Sequence, residues 1–116
     1  MNIDEIREYC LSFKGTAEKL PFDETTLVFT VQNKMFCLTD LVETESINVK
    51  CDPEEAVALR ERYEEVLPGY HMNKNHWNTV IITGKIPNAL IKEWIKNSYD
   101  LVVASLPKKL QKELME

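Results

Sequence analysis

Two histidines, His71 and His76, lie five positions apart in a ten-residue stretch that reads PGYHMNKNHW from position 68 to position 77. Histidines are common metal ligands, but helical zinc sites place them four residues apart and other zinc sites pair them with CxxC motifs. Neither pattern occurs here, because the three cysteines of the chain form no CxxC pair. The stretch also contains no Asp or Glu that would complete a set of ligands. The sequence therefore predicts no metal site.

Nucleophilic catalysis needs a Cys or Ser beside a general base. Cys37 and Ser98 are the candidate nucleophiles, and a histidine is the candidate base. The chain contains no G-x-S-x-G elbow, no local signature of a cysteine protease and no Gly-rich loop for a nucleotide phosphate. Ser98 falls on the apolar stripe of a predicted helix, where a hydroxyl bonded to a backbone carbonyl is ordinary. We therefore expect neither an enzyme nor a bound cofactor. An enzyme whose groups meet only in the fold is the alternative.

Nucleic-acid recognition is the chemistry that fits this stretch. Lysine contacts phosphates, asparagine contacts phosphates or base edges, and tryptophan offers a flat face for stacking. Lys34, at the tip of a predicted hairpin, is one candidate contact residue. The others flank a predicted strand and are Asn73, Lys74, Asn75, His76, Trp77 and Lys85. For Trp77 the alternative role is packing in the core, and for Asn73 and Asn75 it is turn formation.

The formal net charge of −5 is unevenly distributed along the chain. Residues 1–67 contain fifteen acids and seven bases, whereas residues 68–116 contain four acids and seven bases. No Asp or Glu occurs between Pro68 and Lys92. Local sign matters more to a charged partner than the total does. Because DNA-binding domains are usually basic, a chain with a pI of 5.1 is expected to bind DNA only with modest, salt-sensitive affinity.

The periodicity of the first half of the chain predicts one helix and three strands. Apolar residues spaced three and four apart predict an amphipathic helix over residues 3–13. Residues 25–31 and 35–39 predict a β-hairpin, because both runs are rich in β-branched and aromatic residues. Asn33, in the break between them, tolerates the left-handed backbone angles of a tight turn. Residues 46–51 predict a third strand with one wet side.

The second half predicts three helices and one more strand. Asp52 and Pro53 are typical of a helix start, because Asp caps free N–H groups and Pro suits the first turn. Residues 78–83 predict a fourth strand, and helices follow Pro87 and Pro107. Strands joined by short turns must be antiparallel. The predicted fold class is α+β: a two-layer sandwich in which helices cover one face of an antiparallel sheet and the other face is at least partly in solvent.

The composition is that of one globular domain over residues 1–116, with 44% apolar and 28% charged residues. No run of eighteen apolar residues exists, so no contact with a membrane is expected. The N-terminus does not resemble a signal peptide. Three cysteines without an export signal favour reduced, packed thiols and residence in the cytoplasm. The sequence by itself predicts no oligomeric state.

Several short motifs together resemble the MmcQ/YjbR family, and the resemblance spans about residues 20–106. The motifs are LPFD at 20–23, VF at 28–29, KMF at 34–36, KCDP at 50–53, PGYHMNK at 68–74, HWNTV at 76–80 and SYDLV at 98–102. The stretch from position 69 to position 80 is highly specific to the family. One departure is Asn33, where the family often has glycine before the lysine.

The resemblance implies a fold like that of CyaY and the type III secretion chaperones, in agreement with the two-layer prediction. It also implies DNA binding through two loops that act as a double wing. The matching positions are Lys34 in one wing and Asn73, Lys74, His76 and Trp77 in the other. Two hypotheses follow: a non-enzymatic protein that binds double-stranded DNA, and a protein-binding adaptor or chaperone-like module with no nucleic-acid role.

Overall fold

The computed structural model describes residues 1–69 and 72–116. The elements in chain order are α1 (Ile3–Leu11), β1 (Thr16–Lys19), β2 (Thr26–Val31), β3 (Lys34–Asp40), β4 (Ser46–Lys50), α2 (Pro53–Arg62), β5 (Val66–Pro68), β6 (Trp77–Ile81), α3 (Asn88–Ser105) and α4 (Lys108–Met115). The strands form one sheet in the order β1-β2-β3-β4-β6-β5, and all neighbouring strands are antiparallel. The fold class is α+β, as predicted.

One face of the sheet packs against the helices and carries the main core. In β4, Ile47 and Val49 are buried in this core, whereas Asn48 and Lys50 alternate with them and point to the other face. The third strand with one wet side is therefore confirmed. Helix α3 lies across β3 and β4 and contributes Ile91, Trp94, Ile95, Tyr99 and Val102 to the same core.

The other face of the sheet, which we call the open face, carries a smaller apolar cluster. Its buried members are Val28, Leu38 and Trp77, and Met35 and Met72 pack against them. Because Val28 comes from β2, Met35 and Leu38 from β3, and Met72 and Trp77 from the loop and start of β6, the cluster ties this loop to the central strands. The open face is therefore apolar near Trp77 and polar elsewhere.

Ser98 joins the middle of α3 to the sheet. Its hydroxyl donates to the carbonyl oxygen of Phe36 at 2.6 Å and accepts from the backbone N–H of Lys50 at 2.7 Å. The side chain is fully buried. A buried serine with both bonding directions satisfied by backbone groups has a structural role, as the sequence indicated.

The β2–β3 hairpin has a two-residue turn in which both residues are left-handed. Gln32 has φ of 48° and Asn33 has φ of 66°, and Val31 pairs with Lys34 across the turn. These angles are typical of a type I′ turn, whose twist matches that of the flanking strands. The prediction for Asn33 is confirmed. The Lys19 ammonium donates to the side-chain oxygen of Asn33 at 2.6 Å, which adds a second lysine to the tip.

The sequence does not predict the two strands at the sheet edges, β1 and β5. Strand β1 is four residues long and alternates between half-buried and exposed positions, and β5 is three residues long and ends at Pro68. Edge strands are often short, charged or proline-containing because these features prevent further pairing. The same features remove the apolar alternation by which a strand is recognised in sequence.

Candidate nucleic-acid interface

Strand pairing places three lysines at one end of the sheet. Lys34 begins β3 at the hairpin tip, and the antiparallel register of β3 with β4 brings Lys50, the last residue of β4, to the same end. Lys50 in turn pairs with Trp77, the first residue of β6, so the loop of residues 72–76 also lies at this end. Lys50 is half-buried and the other members are exposed. We call Lys34, Lys50, Lys74 and His76 the basic end.

Backbone hydrogen bonds fix the shape of the loop formed by residues 72–76. The side-chain oxygen of Asn73 accepts from the N–H of Asn75 at 2.9 Å, and the N–H of His76 donates to the carbonyl of Asn73 at 3.1 Å. The N–H of Cys51 donates to the carbonyl of His76 at 2.7 Å and so joins the loop to the residue after β4. Asn73 therefore forms an Asx turn, the alternative role that its sequence position left open.

Arg60, in the last turn of α2, anchors the same loop. Its Nη1 donates to the carbonyl oxygen of Lys74 at 2.9 Å and lies 3.4 Å from Oδ1 of Asn78. The amide nitrogen of Asn78 donates to the carbonyl of Ala56 at 3.3 Å. Sequence reasoning missed this role. The sequence feature that could have revealed it is Asn78, because a polar residue inside a strand that is otherwise apolar needs hydrogen-bond partners.

Trp77 packs in the open-face cluster, which corrects its prediction as a stacking surface. Its exposed fraction is 8%, and Val28 and Leu38 are its buried neighbours. Gly69 lies directly against it, because a Cβ on Gly69 would come within 2.7 Å of both the Cβ and the carbonyl oxygen of Trp77. An enclosed ring offers no face to a base. Trp77 therefore supports the loop of residues 72–76 from beneath.

Lys85 lies at the opposite end of the sheet, which corrects its assignment to a footprint shared with the other lysines. Strand β6 is five residues long and carries the chain about 16 Å away from the basic end. The backbone immediately after β6 bonds to the carbonyl of Glu45, and a Cβ on Gly84 would lie 3.0 Å from the side chain of Glu65. The Glu65 side chain therefore lies next to Gly84, the residue before Lys85.

The two ends of the sheet differ in charge. The far end, which we call the acidic end, carries the carboxylates of Asp40, Glu43, Glu45 and Glu65. Within residues 1–69 and 72–116 the ion pairs are Arg7–Glu18 and Lys96–Asp100. The lysines of the basic end form no ion pair with any described carboxylate.

The carboxylates nearest to the basic end belong to the start of α2. One oxygen of Asp52 accepts from the N–H groups of Glu54 and Glu55 at 3.2 and 3.4 Å, which confirms Asp52 as the predicted helix cap. These acids belong to the helical layer, and Asp52 and Glu55 line one cleft together with Lys50. They partly offset the positive potential of the basic end.

Comparison with known proteins assigns the chain to a family. A family model described as YjbR matches residues 11–101. The chain belongs to the YjbR family. YjbR of Escherichia coli K12 is 31% identical over 117 residues, which cover 100% of this chain and 99% of that protein. YbdF of E. coli O157:H7 is 38% identical over 95 residues, which cover 81% of this chain and 78% of that protein.

Solved structures confirm the fold of this YjbR-family chain. A crystal structure of a Deinococcus radiodurans protein described as a DUF419 domain superimposes with a TM-score of 0.92 at 37% identity, covering 97% of this chain and 87% of that one. A Pseudomonas syringae protein superimposes with a TM-score of 0.73 at 26% identity, covering 87% and 98%. The family that the sequence motifs indicated is thus confirmed.

The described residues of this YjbR-family chain contain neither a cluster of possible metal ligands nor a helix that could span a membrane. No three His, Cys, Asp or Glu side chains there are grouped so that they could hold a metal ion. His71, one of the two histidines weighed as ligands, and the neighbouring Tyr70 lie outside the described residues. None of the described helices has the length and hydropathy that crossing a bilayer requires.

The environments of Cys10 and Cys51 disfavour the reactive thiolate form. Cys10 and Cys37 are buried and free, and a hydrogen bond to Cys37 together with burial raises the pKa of Cys10 far above its usual range. Burial, with the carboxylates of Glu55 and Asp52 nearby, raises the pKa of Cys51 to about 11. Nucleophilic cysteines need a lowered pKa. The packed, inert thiols that the sequence indicated fit these environments.

Proposed function

We propose that this YjbR-family protein is a non-enzymatic, cytoplasmic module that binds double-stranded DNA. The basic end of the protein contacts the phosphate groups of the DNA. The observation that supports the proposal is the convergence of Lys34, Lys50 and Lys74 from three separate segments on one end of the sheet. Lysine and arginine contacts to phosphates supply most of the sequence-independent affinity of DNA-binding proteins. Unpaired ammonium groups on a fixed scaffold suit this role.

The spacing of the two loops supports a duplex as the ligand. Strands β3 and β6 are separated by one strand, β4, so the hairpin tip and the loop of residues 72–76 stand about 10 Å apart. The width of a groove in B-DNA is between about 6 and about 12 Å. The two loops are thus spaced to contact phosphates on the two sides of one groove, with Lys34 in one loop and Lys74 in the other.

The charge asymmetry of the sheet supports one orientation on the duplex. Carboxylates at the acidic end repel phosphates, whereas the basic end attracts them. The same carboxylates keep the affinity modest, because the chain as a whole carries a net charge of −5. Asn73 holds the backbone of the loop through its side-chain oxygen and so helps to present Lys74 and His76, whereas the exposed side chain of Asn75 is free to contact the duplex.

Fluorescence anisotropy of labelled duplex DNA tests the proposal. With three lysines contacting phosphates, the slope of log K against log salt is about −2.7, and affinity falls about fortyfold between about 50 and about 200 mM salt. A non-binding polymer of the same length, such as an uncharged DNA analogue, is the matched control. Absence of binding at the lowest salt, or a slope near zero, contradicts the proposal.

A second candidate function, docking of a protein partner, is favoured by a groove on the open face. The groove has a volume of about 520 Å³, and Phe22 on its margin is 63% exposed. Leu38 and Met72 form its apolar lining and Asp40 lies at its acidic edge. Large exposed apolar residues beside a groove are typical of interaction sites. A photo-crosslinker at Phe22, compared with one at exposed Met115, distinguishes a specific partner from random collisions.

A further inference from the structure

A cleft opens on the helical side of the sheet. It lies between α2 and α3 above β4 and β6, and its volume is about 350 Å³. The lining residues used below are Val49, Cys51, Asp52, Glu55, Trp94, Asn97, Leu101 and Ala104. Small-molecule sites in proteins begin at about 300 Å³. The cleft therefore has the capacity for a compact organic molecule.

The floor and one wall of the cleft are apolar. Val49 from β4 and Trp94 from α3 form the inner surface, and both are almost fully buried. Leu101, on the outer part of α3, lies at the opening of the cleft and is 37% exposed. An aromatic or aliphatic body placed here would remove apolar surface from water on several sides at once, which is favourable at about 25 cal/mol per Å².

The rim of the cleft is acidic. Glu55 and Asp52 stand at the start of α2, and the carboxylate of Glu55 makes no hydrogen bond or ion pair with any residue that the structure describes. The side chain of Asn97 on the facing helix is likewise unengaged within those residues. Asp100, on the same rim, is paired with Lys96 at 2.6 Å. Free carboxylate and amide oxygens are acceptors without donors on this side of the cleft.

The field at Cys51 is negative on balance, although Lys50 also lines the cleft and Arg60 acts on Cys51 in the opposite direction. Cys51 lies beside both carboxylates, and after burial itself they are the main reason that its pKa is raised. A negative potential beside an apolar pocket favours a cation with an apolar body over a neutral molecule or an anion of the same shape. The aromatic face of Trp94 also attracts cations.

We propose that this cleft is a binding site for a small organic ammonium compound with an aromatic or aliphatic body. The body lies against Trp94 and Leu101, and the ammonium group lies at the rim between Glu55 and Asn97. The cleft adjoins the basic end, because Lys50 lines it, but Glu55, Asn97 and Trp94, which carry this proposal, do not belong to the basic end. The proposal therefore does not depend on DNA binding.

Three probes of one shape and different charge test the proposal. Phenethylamine, phenethyl alcohol and hydrocinnamate share a phenyl ring on a short chain and end in a cation, a neutral group and an anion. Two-dimensional NMR titration of the full chain is expected to show saturable shifts at Glu55, Asn97 and Leu101 with the amine, at least tenfold tighter than with the carboxylate. Equal affinity for amine and carboxylate, or no shift at these positions at millimolar amine, overturns the proposal.

Two pairs of variants locate the site. Glu55→Gln removes the free rim carboxylate and is expected to weaken amine binding about tenfold, whereas Glu54→Gln, one residue away but outside the cleft, leaves it unchanged. Ala104→Leu fills the cleft from an exposed helical position and is expected to abolish binding. Ala58→Leu, an exposed position on α2 outside the cleft, is its control. If a variant and its control lose the same amount of amine affinity, the cleft is not the binding site.

Discussion

The guanidinium of Arg60 donates a hydrogen bond to the main-chain oxygen of Lys74 at 2.9 Å. Through this bond helix α2 determines where the loop of residues 72–76 stands relative to the hairpin tip. A loop that is already ordered loses less conformational entropy when it binds. The spacing between Lys34 and Lys74 is therefore a property of the free protein.

Arg60→Gln is expected to loosen this loop. We expect faster hydrogen exchange at the amides of His76 and Cys51, a loss of unfolding free energy of about 1 kcal/mol, and DNA binding weakened by about threefold or more. Arg62→Gln, a control on the same helix, removes the same charge without touching the loop. If both variants weaken DNA binding equally, net charge and not loop position is the cause.

Trp77 is expected to be important for stability and not for contact with DNA. Trp77→Ala removes a large buried ring and should lower the free energy of unfolding in urea by about 3–5 kcal/mol. Trp77→Phe keeps most of the packing and should lose less. The folded Phe variant is expected to bind DNA as tightly as the parent chain. A Phe variant of normal stability with lower DNA affinity would restore Trp77 as a contact residue.

Ser98 is expected to hold the end of the sheet that carries Lys50. Ser98→Ala leaves the buried N–H of Lys50 and the buried carbonyl of Phe36 without this partner, so we expect a loss of about 1–3 kcal/mol in urea unfolding. Ser105→Ala, near the end of the same helix, deletes a hydroxyl that bonds only to the preceding turn and should change stability by less than about 0.5 kcal/mol. If the two substitutions lower the free energy of unfolding equally, Ser98 does not have the bridging role described above.

Cys51 is expected to react slowly with alkylating reagents near neutral pH. Because the thiolate is the reactive form and the pKa of Cys51 is raised to about 11, the thiolate fraction in the folded protein rises only as the pH approaches 11. Mass spectrometry of iodoacetamide labelling across pH measures the midpoint. Glu55→Gln removes one of the carboxylates that raise the pKa and should move this midpoint to lower pH. A midpoint near 9 in the parent chain contradicts the described environment.

Sequence patterns predicted the central strands because their side chains alternate between two different environments. Ile47 and Val49 face the helices while Asn48 and Lys50 face away, and this difference is visible in the residue types alone. The helix start at Asp52 was likewise predictable, since capping depends on local chemistry. The edge strands β1 and β5 have no such contrast in residue type, so only their backbone pairing with β2 and β6 in the structure identifies them.

The candidate site was only partly predictable because closeness in sequence is not closeness at the end of a strand. Lys74 and Lys85 flank the same strand, yet β6 separates them along its length, while Lys34 and Lys50 come close to Lys74 through strand order. Strand order is set by the packing of the whole sheet. Trp77 was ambiguous for a different reason: an indole suits both a core and a stacking surface.

The most direct measurement is the DNA affinity of Lys74→Ala beside that of Lys85→Ala, with Lys34→Ala as a third variant. All three remove one positive charge from an exposed side chain, so they change net charge equally. We predict that Lys34→Ala and Lys74→Ala each weaken duplex binding severalfold and reduce the salt slope by about 1, while Lys85→Ala leaves both unchanged. Equal weakening in all three variants, or none in any of them, would contradict a DNA-binding surface at the basic end.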